Sequence, residues 1–263
     1  MQRTQGLIVD SRVLAPGYYQ MTLLAPEIAA TAGPGQFIEV RVADGTIQDP
    51  LLARPLSLFR INRKEGTISF IFKIVGRGTR LLATLKTGGT VVVWGPLGNH
   101  FNPPGKETRI ALVAGGVGMP PMFALAEFLR EATGPDVPEI VLFYGGRTRC
   151  DLLELDSWNK LGVTVHTATE DGSFGSQGVV TVALEEALKG HTYDYIASCG
   201  PIPMLRAVQQ LAMRYRVPGQ MSLEAYMACG VGACLGCVCE TRRGFLRVCS
   251  DGPVFPIEEV IFS

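Results

Sequence analysis

The sequence predicts an antiparallel β-barrel followed by a doubly wound α/β domain with a parallel sheet, closed by a small cysteine-rich module. Three observations carry that prediction. Up to about residue 100, short β-branched and aromatic runs are bounded by Gly and Pro, as in a barrel. From Arg109 to Tyr215, unbroken apolar runs alternate with segments of helical period, as in a parallel sheet covered on both faces. Five of the seven cysteines fall between Cys229 and Cys249, in a stretch rich in Gly and poor in periodicity. The expected divisions are residues 1–103, 104–216 and 217–263.

In the first region the runs Gln36–Val42, Leu56–Ile61, Thr67–Val75 and Thr90–Trp94 read as strands. Phe37, Glu39 and Arg41 alternate with Ile38, Val40 and Val42, the period of a half-buried strand. Thr79–Lys86 has helical spacing, and Gly95-Pro96-Leu97-Gly98 reads as the turn leaving the barrel. Pro103-Pro104-Gly105 marks the change of pattern. Beyond it, strands Arg109–Ala114, Glu139–Tyr144, Val163–Thr167 and Tyr193–Ser198 precede helices Pro120–Ala132, Asp151–Leu161, Val180–Lys189 and Pro203–Tyr215.

Composition excludes several classes. Lys+Arg and Asp+Glu are 24 each among 263 residues, so there is no bulk attraction for nucleic acid or anionic lipid. The first residues carry Arg3, Asp10 and Arg12 and lack the apolar core of a signal peptide. The uncharged stretch Ile110–Ala126 is interrupted by Gly115, Gly116, Gly118, Pro120 and Pro121, which suits a buried strand, a glycine turn and a helix better than a membrane span. A cytoplasmic location follows as the expectation, and there clustered thiols read as metal ligands before disulfides.

Cys229, Cys234 and Cys237 form C-x4-C-x2-C, the spacing of plant-type [2Fe–2S] ligation. Gly230, Gly232 and Gly236 let the loop curl tightly and aim N–H groups at sulfur. Cys249 can return as the fourth ligand through a hairpin at Arg242-Arg243-Gly244. Cys239 alternates with Cys237 and should face the other way, although the short interval from Cys237 to Cys249 keeps the choice of Cys239 or Cys249 open. A zinc knuckle is the competing reading, but it usually needs two C-x2-C pairs or a Cys/His mixture, and no His lies near.

Arg54-Pro55-Leu56-Ser57 offers a planar fork for a pyrophosphate together with a hydroxyl, and Gly76-Arg77-Gly78-Thr79 offers a glycine turn into a helix. Gly115-Gly116-Val117-Gly118 ends a strand where a dinucleotide could approach closely, and Cys199-Gly200-Pro201 ends another strand on the same crevice. Cys199 there could sit beside a nicotinamide or be a core thiol; Cys150 reads only as a core thiol. Arg147 and Arg149 would suit a 2′-phosphate and Asp151 a free 2′-OH, which keeps NAD and NADP both open. His100, His166 and His191 match no metal spacing. No catalytic triad, carboxylate pair or Walker loop is present, as expected where cofactors carry the chemistry.

The order of Arg54-Pro-Leu-Ser57, Gly78-Thr79, Gly115-Gly-Val-Gly118, Cys199-Gly-Pro201, Met227-Ala-Cys229-Gly-Val-Gly-Ala-Cys234-Leu-Gly-Cys237 and Cys249-Ser-Asp-Gly-Pro-Val-Phe255 resembles the electron-transfer subunits of class 1B dihydroorotate dehydrogenase over nearly the whole chain. The wider resemblance is to the ferredoxin–NADP reductase superfamily. It implies FAD on the barrel, held at Arg54, Pro55, Leu56 and Ser57 with contacts from Ile71, Phe72, Lys73, Gly78 and Thr79. It implies a [2Fe–2S] cluster on Cys229, Cys234, Cys237 and Cys249, and NAD as acceptor. It also implies a partner chain carrying FMN and the dihydroorotate site, two copies of each chain, in pyrimidine biosynthesis. The rival readings are a related reductase subunit serving ferredoxin, sulfur or a hydrogenase, and a non-enzymatic zinc-bearing module.

Overall fold

The computed structural model describes residues 1–42, 49–103, 105, 109–132 and 138–262. The barrel is built from β1 (Gln2–Ala15), β2 (Tyr18–Leu24), a short α1 (Pro26–Ala29), β3 (Phe37–Arg41), β4 (Arg54–Asn62), β5 (Thr67–Lys73), α2 (Arg77–Leu82) and β6 (Thr90–Leu97). All pairings are antiparallel, and the order β1-β2-β5-β4-β3-β6 closes when β6 pairs with β1. Alternation does the sorting predicted for it: Ile38 and Val40 of β3 join Ile8, Met21, Leu58, Phe70 and Val93 in the barrel core, while Phe37 packs outside it. Closure leaves no open edge.

Next come β7 (Arg109–Gly115), α3 (Met119–Ala132), β8 (Glu139–Gly146), α4 (Leu155–Lys160), β9 (Thr164–Thr169), β10 (Ser176–Gln177), α5 (Val180–Gly190), β11 (Tyr195–Cys199) and α6 (Ile202–Tyr215). The chain ends with β12 (Gly219–Ser222), the hairpin β13 (Val238–Thr241) and β14 (Gly244–Arg247), and β15 (Val254–Pro256). The large sheet runs β10-β9-β8-β7-β11-β12-β15, parallel except for β15. Ile110, Ala111, Leu112, Val113 and Ala114 are all 0% exposed, as a strand covered on both faces requires. The strand order reverses between β7 and β11, where a ligand crevice forms at the carboxyl ends.

Two shared cores join the regions. On one side Tyr18, Phe59 and Ile71 of the barrel pack with Met122, Phe123 and Trp158. On the other, Phe37 and Leu97 pack with Cys237, Val248, Cys249 and Phe255. The barrel, the sheet and the cysteine module therefore meet around β3 and β6.

Several expectations need correction. The helix expected over Asp151–Leu161 is broken: Arg149–Asp151 is a 3-10 turn, Glu154 takes left-handed backbone (φ 56°), and only Leu155–Lys160 is α-helical. Asp151 is the reason, because its carboxylate turns back to accept the N–H groups of Arg147 and Thr148, each at 3.1 Å. Gly95-Pro96-Leu97 is not a turn but continues β6, where Leu97 pairs with Phe37; the chain turns at Gly98 (φ +70°). Strands β1, β2, β12 and β15 lay in runs too irregular or too short for periodicity to reveal. Pro104, the expected boundary residue, lies outside the described residues.

Candidate redox-cofactor sites

The cysteine loop gathers four thiols in two pairs. The Cys249 N–H points at Cys237 Sγ (3.4 Å), and the Cys234 N–H points at Cys229 Sγ (3.4 Å). Further N–H groups reach sulfur from Gly232 to Cys249 (3.1 Å), from Val231 to Cys229 (3.5 Å) and from Gly236 to Cys234 (3.4 Å). Gly230 (φ +67°) and Gly232 (φ +80°) make this curl, and a Cβ on Gly232 would lie 2.7 Å from Ser250 Oγ. Arg247 clamps the far side, donating from Nε and Nη2 to the Asp251 carboxylate at 2.9 Å each and from Nη1 to Gly232 O at 3.4 Å.

The sulfurs differ electrostatically. N–H donation, led by Val231 and helped by Cys234 and Ala233, lowers the Cys229 thiol to about 6 against the opposing effect of burial. Burial and the adjoining Cys237 thiol push Cys249 up to about 12. A bound metal inverts that preference, since a coordinating thiol is deprotonated outright. Among the described residues no group of three or more His, Cys, Asp or Glu side chains could hold a single metal ion. Four thiols in this spacing would suit a [2Fe–2S] unit. Cys239 pairs across the hairpin with Leu246, packs against the sheet core and takes part in none of these N–H···S contacts.

The flavin-type segments lie on the barrel wall. Pairing of β4 with β5 stops at Leu58↔Phe70, so residues 54–57 and 71–73 separate beyond it. Arg54, Pro55, Leu56 and Ser57 are all half-buried. The Arg54 guanidinium is held by Leu52 O (2.8 Å) and Ala53 O (3.0 Å), and it lies over Gly78, where a Cβ would sit 2.5 Å from Nε. Thr79 spends its hydroxyl on the turn, accepting from Val75 N (3.0 Å) and Gly76 N (3.2 Å). The side chains of Ile71 and Phe72 point into the cores, so only their backbone can face a cofactor.

Lys73 faces away from Arg54 into a cleft of about 640 Å³ between barrel and sheet. There its Nζ meets Asp151 at 3.2 Å and lies 4.7 Å from the centre of the Tyr18 ring. Tyr18 also donates to Asp151. Burial works against ionisation of Asp151, but the hydrogen bonds from Tyr18, Thr148 N–H and Lys73 outweigh it and lower its value. Asp151 is thus committed to holding the crevice together rather than standing free for a ribose hydroxyl.

Gly115, Gly116, Gly200 and Pro201 line the cleft. Gly118 and Cys199 lie beneath: a Cβ on Gly118 would be 2.2 Å from Cys199 O, so the glycine is what lets the turn after β7 touch the end of β11. Cys199 is 1% exposed, and burial raises its thiol well above the ordinary range, which suits a floor rather than a reactive group. Cys150, expected in a core, is exposed on the 3-10 turn instead. Periodicity did not reveal Tyr18, Gly145, Gly146, Glu170 and Glu224, which also line the cleft. The rule that strand ends line the crevice could have found Gly145 and Gly146 at the tip of β8.

Comparison with known proteins bears on both sites. Residues 224–261 match the model of the iron-sulfur cluster binding domain of dihydroorotate dehydrogenase B, and residues 112–210 match that of an oxidoreductase NAD-binding domain. The dihydroorotate dehydrogenase B (NAD(+)) electron transfer subunit of Geobacillus kaustophilus (strain HTA426) is 40% identical over 98% of each chain. The chain belongs to this family. The family's subunit from Desulforamulus reducens is 34% identical over 97% of this chain and 99% of its own. Among solved structures, a chain of the NADH-dependent reduced ferredoxin-NADP oxidoreductase superposes with TM-score 0.85 at 29% identity, covering 98% of this chain and 90% of its own. The cytochrome b5 reductase domain of Ulva prolifera nitrate reductase shares the fold at TM-score 0.67 and 20% identity, covering 82% and 93%.

Proposed function

We propose that the chain carries electrons between the catalytic subunit of a dihydroorotate dehydrogenase and NAD⁺, through a [2Fe–2S] cluster and FAD. The observation that supports this most is the gathering of Cys229, Cys234, Cys237 and Cys249 into two thiol pairs directly against the barrel wall. When bound, the cluster supplies one-electron transfer and the flavin exchanges single electrons for hydride.

This chain's residues hold and shape those groups. Cys229, Cys234, Cys237 and Cys249 ligate the cluster, and the N–H groups of Val231, Gly232, Cys234 and Gly236 stabilise negative charge on its sulfurs. Arg54 grips the FAD pyrophosphate across Gly78, while Pro55, Leu56 and Ser57 and the backbone of Ile71, Phe72, Lys73 and Thr79 border the flavin. Gly115 and Gly116 admit the NAD diphosphate over Gly118; Gly200 and Pro201 border the nicotinamide with Cys199 beneath. In this reading residues 1–103 form the FAD domain, 104–216 the NAD domain and 217–263 the cluster module.

The partner is the catalytic subunit, carrying FMN and the dihydroorotate site, in a complex with two copies of each chain. It docks on the cysteine module, whose Tyr226 is 98%, Phe245 75% and Leu235 61% exposed. Cys234, next to Leu235 in the chain, is exposed too, which would put one edge of the cluster at the contact. No helix among the described residues is long and apolar enough to cross a membrane, and we assign the complex to the cytoplasm, where reduced thiols are kept for metal.

A second reading, a reductase subunit serving ferredoxin, is favoured by the structural likeness at TM-score 0.85. Co-purification decides between them. An FMN-bearing partner and dihydroorotate-dependent NADH formation support the proposal; a complex that reduces ferredoxin and ignores dihydroorotate contradicts it.

A further inference from the structure

Glu39 sits on the outer face of the barrel, on the side of Phe37, where the cysteine loop covers it. It lies in β3 between Ile38 and Val40, is 0% exposed, and neither carboxyl oxygen has a hydrogen-bond partner. Among the described residues it is the one acid in that state. A buried polar group without a partner is costly, so something other than packing keeps it there.

Its neighbours are the two redox segments. Across the sheet Glu39 is directly opposite Pro55 of the Arg54–Ser57 run on one side and Trp94 of β6 on the other. Outward, it meets the cysteine loop: a Cβ on Gly230 would lie 2.8 Å from Glu39 Cγ and 2.9 Å from Oε1. Gly230 has φ +67° and adjoins Cys229, so the carboxyl occupies the space left by the missing side chain at the tightest point of the loop. Burial, and after it the Cys229 thiol, push its carboxyl up to about 7, and Arg54 opposes them, so one group from each proposed cofactor site acts on it.

We propose that Glu39 is a positioning residue of the iron-sulfur centre, a barrel-borne carboxyl that seats the Gly230 turn and in its ionised form places negative charge beside Cys229, so lowering the reduction potential of the cluster. Charge and hydrogen bonding around the sulfurs are the levers by which a protein tunes such a centre. A carboxyl on the rigid barrel, rather than on the loop, would hold that lever still while a partner docks on the exposed edge.

This inference rests on the four-cysteine ligand set. The test is a potentiometric titration of the cluster, followed by electron paramagnetic resonance, in the intact two-subunit complex. Wild type is compared with Glu39→Gln, which keeps the shape, and Glu39→Leu, which keeps the bulk. The expected result is wild-type iron and FAD content in Glu39→Gln with the midpoint potential shifted upward, and an upward shift also in Glu39→Leu. An unchanged potential in both variants overturns the proposal and leaves Glu39 a packing residue. Should Glu39→Gln shed its iron, Glu39→Asp decides: it keeps the charge but withdraws it from Gly230. A potential above wild type then supports the proposal and a potential equal to wild type overturns it. Absence of iron from the wild type would instead sink the cluster reading itself, a distinguishable failure.

Discussion

The cysteine loop and the nucleotide crevice are two solutions to holding a redox cofactor, and they are built from opposite materials. The loop has little core of its own: a two-stranded hairpin, glycines at positive φ, and thiols that recruit backbone N–H groups. The crevice is the rim of a sheet whose central strands are buried on both faces, and its glycines matter because the turn after β7 must touch the end of β11. Such a loop depends on its metal for shape, whereas the crevice depends on its shape to bind. Substitutions should therefore fail in different ways in the two places.

The largest effect is expected at the loop. Cys237→Ser removes a buried thiol from one pair, and the purified chain should fall from about two irons to almost none, with protease sensitivity appearing near residues 224–249. Cys239→Ser should keep its iron, because Cys239 makes none of the N–H···S contacts of the other four. Colorimetric iron assay reads both.

At the crevice, Gly118→Ala should leave iron untouched but drive a Cβ to within 2.2 Å of Cys199 O. Backbone opposes backbone there, so the turn after β7 and the end of β11 must part; overpacking of this kind costs at least about 1–3 kcal/mol. A lower Tm with weaker NADH binding and unchanged iron would sharpen the contrast, and unchanged NADH binding would break it.

The barrel wall lies between these extremes. Arg54→Ala removes the guanidinium but no core packing, so stability should hold while FAD is lost. Loss of a charge-assisted contact worth about 1.5–3 kcal/mol means on the order of ten- to a hundredfold weaker FAD binding. Fluorescence of released flavin measures it.

The smallest effect concerns Asp151, which joins barrel to sheet through Tyr18 and Lys73. Its folded value is lowered, chiefly by Tyr18 against the opposing effect of burial. The stability it adds is present above the unfolded carboxylate range, near about 3.9, and is lost as pH falls through the folded value. Urea unfolding should show wild type above Asp151→Asn at pH 7, with the gap closing below about pH 4.

How far these features were legible follows from the same contrast. The cluster was visible because its chemistry is written along the chain: C-x4-C-x2-C and the later Cys249 are local spacing. The parallel sheet was visible because strands buried on both faces are unbroken apolar runs. Tyr18, Lys73 and Asp151 meet only through the crossing of barrel and sheet, at separations of 133 and 78 residues from Asp151, and no period records that. Glu39 looked like the polar half of an alternating strand; its burial depends on a loop that arrives 191 residues later at Gly230. Edge strand β15 was hidden because three residues carry no periodicity.

The central claim is that one chain holds an iron-sulfur relay against a flavin that faces NAD. The most direct measurement is metal and flavin analysis of the purified complex, followed by electron paramagnetic resonance after anaerobic addition of NADH. About two irons per FAD and a reduced [2Fe–2S] signal that grows with NADH are the result the account predicts. Zinc in place of iron, or a cluster that NADH leaves oxidised while the flavin bleaches, would contradict it.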